Sequence, residues 1–260
     1  MALNIASLNS GSNGNCYYVG SQDEAVLIDA GITCRETENR MERIGLSFEK
    51  VRAIFISHEH TDHTRGVEVI SRRYGIPVYL TANTLEHSKL NIEAGLIRLL
   101  SPGEKVSIGE LVVHAFSKRH DAIEPLSFTV SGGRVIIGVL TDIGSACKNV
   151  VQNFKACNAV FLEANYDEIM LDEGSYPVFL KNRIKSDHGH LSNLQALDLF
   201  TRHRHPNLSH LLLSHLSKDN NDPRRVLELF RKYAGNTKIE IASRFEESPV
   251  YTIAPALTLF

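Results

Sequence analysis

The 260-residue chain has no apolar run approaching the length of a membrane span. Its first residues, Met1-Ala2-Leu3-Asn4-Ile5, lack a charged segment followed by a long apolar one, so the expectation is a cytoplasmic protein with no membrane partner. Cysteine is scarce: Cys16, Cys34, Cys147 and Cys157 form no C-x-x-C pair, which argues against a disulfide scaffold and for reduced, partly buried thiols. Net charge is only −2, so nucleic-acid binding would have to rest on local basic patches. No stretch interleaves aromatic and basic residues in the manner of a base-stacking platform. Long linkers, internal repeats and low-complexity segments are also missing. What remains, 43% apolar and 22% charged residues, is the composition of an ordinary globular protein long enough to bury a substantial core.

Against this plain background stands His58-Glu59-His60-Thr61-Asp62-His63, directly after the apolar run Val51–Ser57. Three imidazoles this close repel one another when protonated. They make sense around a divalent cation, for which neutral imidazole nitrogen and carboxylate oxygen are natural ligands. In an extended segment His58 and His60 would point to the same side, while Asp62 and His63 would turn toward a second position.

Strand-like runs cover Leu3–Leu8, Cys16–Val19, Ala25–Ile28, Pro77–Leu80, Lys105–Ile108, Leu111–Phe116, Ser127–Val130, Val135–Leu140, Val160–Leu162 and Leu211–Leu213. Helices are expected after N-cap Thr33 as far as Gly45, from the histidine motif through about Tyr74, from Ser192 to about His203, and from Pro223 to Ala234. This mixture predicts one α/β domain over residues 1–260, with two sheets covered by helices. Polar residues recur where the apolar strands end: Asp29, His120, Asp142, Glu163 and His215. Rigid scaffolds place reactive groups at such positions.

The series Asp29, His58-x-His60-x-Asp62-His63, His120, Asp142, His215 resembles the motif series of the metallo-β-lactamase superfamily and covers most of the chain. The resemblance implies a four-layer αββα sandwich with a two-metal site on one edge. It further implies that His58, His60 and His120 hold one ion, that Asp62, His63 and His215 hold the other, that Asp142 bridges them and that Asp29 orients the histidine loop from behind. Ligation by nitrogen and oxygen without cysteine fits Zn²⁺, Mn²⁺ or Fe²⁺. Such a site activates water, with Asp62 also able to orient it.

Glu163 and the segment Asp187-His188-Gly189-His190-Leu191-Ser192 resemble the phosphodiesterase branch that includes tRNase Z. There a matching glutamate and histidine form a dyad near the leaving group, which implies that His190 is a proton donor oriented by Glu163. Only twenty-one residues separate His120 from Asp142, too few for the long tRNA-gripping arm of tRNase Z. The interval from Asp142 to His215 is likewise too short for an inserted β-CASP domain. With Ser10-Gly11-Ser12-Asn13-Gly14-Asn15 added, the motifs are most similar to the bacterial YycJ/WalJ (VicX) group. That implies a metal-dependent exonuclease acting 5′ to 3′ on DNA and linked to DNA repair. A small-molecule ester, thioester or cyclic-phosphodiester hydrolase of the same fold is the alternative. Lys118, Arg119, Lys181 and Arg183 are the expected contacts to substrate phosphates, and the glycine-rich Ser10–Asn15 turn could bring backbone N–H groups near one.

Overall fold

In the computed structural model, which describes residues 1–255, the first ninety-nine residues and the last described strand build one sheet. Its strands are β1 Leu3–Asn9, β2 Cys16–Gly20, β3 Ala25–Ile28, β4 Val51–Phe55, β5 Val78–Leu80, β6 Ile97–Leu99 and, far along the chain, Tyr251–Ile253. The second sheet comprises β7 Lys105–Ile108, β8 Leu111–Ser117, β9 Leu126–Gly132, β10 Val135–Leu140, β11 Ala159–Glu163, β12 His210–Ser214 and β13 Lys238–Ile241. With Tyr251–Ile253 as β14, the orders are β14-β1-β2-β3-β4-β5-β6 and β13-β12-β11-β10-β9-β8-β7.

Side-chain alternation along these strands produces three apolar layers. From β4, Ala53 and Phe55 enter a central core that they share with Phe128, Val139, Phe161 and Leu212 of the second sheet. The intervening Ile54 faces outward onto Met41, Val67 and Ile70, which belong to α1 Cys34–Arg43 and α3 Val67–Tyr74. On the other side Val160, Leu162, Leu211 and Leu213 pack against Phe154, Phe200 and Phe230. Those rings come from α5 Lys148–Phe154, α8 Asn193–His203 and α9 Pro223–Arg231. Strands buried on both faces explain why these runs are continuously apolar rather than alternating. The layering is the expected αββα sandwich.

Several termini obey simple local chemistry. The Thr33 side chain accepts from the Glu36 N–H, and Ser192 with Gln195 forms a reciprocal capping box at α8. The interval between His120 and Asp142 holds the β9–β10 hairpin, as its length implied. Other expectations need correction. The helix expected from the motif through Tyr74 is two pieces, α2 Thr61–Thr64 and α3, broken around Gly66. A Cβ on Gly66 would lie 2.1 Å from the Ile32 carbonyl, and one on Gly31 would lie 1.7 Å from that of Asp62. Only glycines let the Asp29–Ile32 turn pass this close to the histidine motif. The last expected helix stops at Arg231 rather than Ala234. The shorter helices α4 Ala82–Ser88, α6 Glu168–Glu173 and α7 Val178–Lys185, together with α5, β6, β13 and β14, carry little periodic signal and were not expected.

The pairs β3–β4 and β10–β11–β12–β13 are parallel. Asp29, His58, Asp142, Glu163 and His215 therefore all emerge at the carboxyl ends of parallel strands, where open α/β sheets gather ligand-binding groups.

Candidate metal centre

Six imidazoles form a closed circuit at that edge. Successive ring centroids are 4.6 Å apart from His58 to His60, 5.3 Å to His120, 5.2 Å to His190, 5.2 Å to His215, 6.2 Å to His63 and 4.0 Å back to His58. Asp142 reaches into the circuit: Oδ2 is 3.2 Å from His63 Nε2, and Oδ1 is 3.4 Å from His215 Nδ1 and 3.9 Å from His120 Nε2. His58 and His60 are not on a strand, because β4 ends at Phe55 and His60 starts α2. Their nitrogens nevertheless meet at 3.1 Å, through the turn rather than through strand alternation.

Most of these rings are held from behind by one nitrogen. His63 Nδ1 donates to Asp29 Oδ2 at 2.7 Å, and His120 Nδ1 donates to the Gly189 carbonyl at 3.1 Å. Since both acceptors lack protons, the tautomer is fixed and Nε2 faces the centre. His58 Nδ1 meets Ser57 Oγ at 2.8 Å, and the same hydroxyl donates to Asp29 Oδ2 at 2.8 Å. The role expected for Asp29 thus has a matching geometry. Asn15 Nδ2 lies 3.3 Å from Asp62 Oδ2, and Asn165 Nδ2 donates to the His215 carbonyl at 2.8 Å.

The inward atoms fit a cation. Among the described residues, His120 Nε2, His215 Nε2 and Asp142 Oδ2 are buried without a hydrogen-bond partner, an arrangement that is costly unless something else satisfies them. Candidate ligand atoms lie within 4.8 Å of one another in three groups at the centre: His58, His60 and His120; His58, His63 and Asp142; Asp62, His63 and His215. Asp142, Glu163, His190 and His215 form a further such group. However, Glu163 Oε2 already accepts from the Ile143 and Leu191 N–H groups at 2.7 and 3.1 Å, and Oε1 from His190 Nδ1 at 2.8 Å and His215 Nδ1 at 3.1 Å. With both oxygens taken, Glu163 serves to hold imidazoles rather than an ion.

Electrostatics divide the cluster. Burial holds His58 well below the usual imidazole range and pushes His120 down to about 3, so both present lone pairs. Burial also opposes charge on His215, yet Asp142, Asp62 and Glu163 together raise it to about 10. Glu163 sits at about 2: burial pushes it up, but the His190 charge and hydrogen bond outweigh that.

Behind the carboxylates lies Lys118. Expected as a phosphate contact, it is instead buried, with Nζ donating to the Thr141 carbonyl at 2.7 Å. Side-chain alternation continues past β8, sending Ser117 and Arg119 outward and Lys118 inward. Burial lowers its pKa, while Asp142, Asp29, Glu163 and Asp62 pull the other way. Lys118→Met is therefore expected to destabilise the chelated protein by about 1–3 kcal/mol, because it leaves the buried Thr141 carbonyl without its donor and removes a nearby positive charge. Metal affinity should rise in the same variant. Equal stability in urea melts of the two chelated proteins would refute this role.

The remaining expected contacts are on the surface. Arg119 Nη1 is 3.3 Å from Asp187 Oδ2, Lys181 Nζ donates to the Asp172 carbonyl, and Arg183 pairs with Asp121. Arg183 and Asp121 line a cavity of about 220 Å³ with His190 and His215, so Arg183 stands at the mouth of the centre while Lys181 does not. Ser57, Asn15 and Asn165 were missed from the sequence as supports. Ser57 abuts the motif and Asn15 ends the glycine-rich turn, but neither residue type alone signals a role.

The description "Beta-lactamase superfamily domain" matches residues 24–216. The chain is 36% identical over 228 residues to a Bacillus anthracis protein named Exodeoxyribonuclease YycJ, covering 85% of each. It is 32% identical over 219 residues to Exodeoxyribonuclease WalJ of Streptococcus pneumoniae serotype 2, covering 82% of this chain and 81% of that one. The metallo-β-lactamase-fold protein YhfI of Bacillus subtilis superposes with a TM-score of 0.73 at 15% identity, over 97% of this chain and 100% of that chain.

Proposed function

The chain belongs to the beta-lactamase superfamily as a hydrolase of the metallo-β-lactamase fold, and from that premise we propose that it is a two-metal phosphodiesterase that degrades DNA from 5′ ends in repair. His58, His60 and His120 would hold one divalent ion and Asp62, His63 and His215 the other, with Asp142 as a shared ligand. Zn²⁺, Mn²⁺ and Fe²⁺ all suit this donor set. When bound, such ions would supply activation of water and offset charge on the attacked phosphate.

The protein's own groups do the rest. Asp62, steadied by Asn15, orients the attacking water. Arg183, at the mouth of the cavity, engages a phosphate oxygen once substrate displaces Asp121. His190 Nδ1 is tied to Glu163 at 2.8 Å, and its side chain remains 20% exposed. That leaves Nε2 to donate a proton to the departing oxygen. This dyad beside Asp142 is the observation that carries the reading, because a protonated histidine matters most for a poor leaving group such as a deoxyribose alkoxide. The names of the two relatives supply DNA as the polymer.

The test is digestion of 5′- and 3′-labelled DNA and RNA strands by chelated protein resupplied with Mn²⁺ or Zn²⁺. Stepwise loss from the 5′ end of DNA, dependent on metal, is expected. Hydrolysis of a chromogenic phosphodiester with every nucleic acid left intact would point to a small-molecule substrate instead.

A further inference from the structure

A second cavity, of about 340 Å³, adjoins the metal edge and is lined by Ser10, Ser217, Lys218, Pro223, Arg244 and Phe245 among others. That volume is at the lower end of small-molecule sites, about 300–1,000 Å³, enough for one nucleoside. It neighbours the cavity at the metal edge. Ser217 lines both cavities, and Ser10 Oγ accepts the backbone N–H of His215 at 2.7 Å.

The segment Ser243–Phe245, just after β13, is fixed by its backbone. The Ser243, Arg244 and Phe245 carbonyls accept from Ser10 N, Asn13 Nδ2 and Arg40 Nη2 at 3.0, 2.8 and 3.0 Å. Ser243 Oγ accepts from the Phe245 and Glu246 N–H groups at 3.1 and 3.4 Å, while the Phe245 ring reaches solvent. Phe245 is 75% exposed, and among the described residues Arg244 Nη1 is buried without a hydrogen-bond partner. The guanidinium carbon lies 5.9 Å from the Phe245 ring centroid. One exposed ring means little alone. An exposed ring beside an unsatisfied guanidinium N–H, in a cavity that opens beside a metal ligand, is a matched pair for a base and a phosphate.

We propose that this cavity binds the nucleotide flanking the scissile phosphate at a single-stranded DNA end, with Arg244 on its phosphate and Phe245 stacked on its base. The proposal rests on the nuclease reading above. A ring face accepts any base, so the subsite adds grip without sequence preference.

The test uses metal-loaded protein, Arg244→Gln and Phe245→Ala variants, and a fluorescent phosphorothioate-linked strand of roughly ten nucleotides whose binding is read by anisotropy. Phe245 is so exposed that its loss should not affect folding. Each substitution is expected to weaken binding about tenfold. With a strand abasic at its first two nucleotides, Phe245→Ala should match the unaltered protein while Arg244→Gln remains weak. Unchanged binding in both variants overturns the subsite, as does a Phe245→Ala loss of equal size on the abasic strand. Cleavage of the ordinary phosphodiester strand is followed in parallel. Phe245-dependent binding without cleavage keeps the subsite and removes the nuclease reading; cleavage indifferent to Phe245 does the reverse; neither binding nor cleavage overturns both.

Discussion

Asp142→Ala is expected to cut hydrolysis about 10³-fold or more and to lower the metal content of the purified protein by at least one ion per chain. The size follows from what this carboxylate touches. Its two oxygens face His63, His215 and His120 from 3.2 to 3.9 Å, and it shares one ligand group with His58 and His63 and another with Glu163, His190 and His215. Removing it takes away a ligand atom and the carboxylate that faces three of the imidazoles. Losing a single preorganised polar contact to a transition state already costs about 10²–10³ in rate, and here the positioning of the ions is lost too. Metal analysis beside activity measurements decides the matter. Full metal content with more than a tenth of the activity would sink the assignment.

His190→Ala is expected to lower the rate on DNA by about 10²–10⁴, the usual range for a positioned proton donor, with metal content unchanged. The decisive comparison is between leaving groups. A p-nitrophenyl phosphodiester departs as a stabilised anion that needs no proton, so the variant should lose no more than about tenfold on it. Glu163→Gln should share the pattern in weaker form, since Gln can keep one hydrogen bond but not the charge beside His190. Equal losses on both substrates would mean that His190 shapes the centre rather than protonating the leaving oxygen. Loss of metal would mean that it is a ligand.

Much of this centre was legible in the sequence because its chemistry restricts residue types. Imidazoles and carboxylates placed directly after apolar strands are rare, and Asp29, the histidine motif, Asp142, Glu163 and His215 all follow parallel strands that carry them to one edge. Less specific residues stayed hidden. Ser57, Asn15 and Asn165 act through hydrogen bonds that any small polar residue might make. Lys118 was misread because its neighbour Arg119 drew both toward solvent, although alternation along β8 sends them to opposite sides. Helix α7 has no buried residue, so no apolar periodicity marks it. Arg244 and Phe245 look like ordinary loop residues until the fold brings them into one cavity wall with Leu216 and Ser217.

Three residues of the centre share one backbone oddity: Asp29, Asp142 and His215 have φ values of 59°, 52° and 55°. For side chains other than glycine this left-handed geometry costs about 1–2 kcal/mol each. It turns each chain sharply at its strand end, so the side chain swings inward rather than along the strand. Glycine at any of the three would ease the turn but strand the groups its side chain serves, since Asp29 accepts from Ser57 and His63 while Asp142 and His215 meet other imidazoles and Glu163. The strain is thus held in place by the same contacts that build the centre, so backbone and side chains there would loosen together.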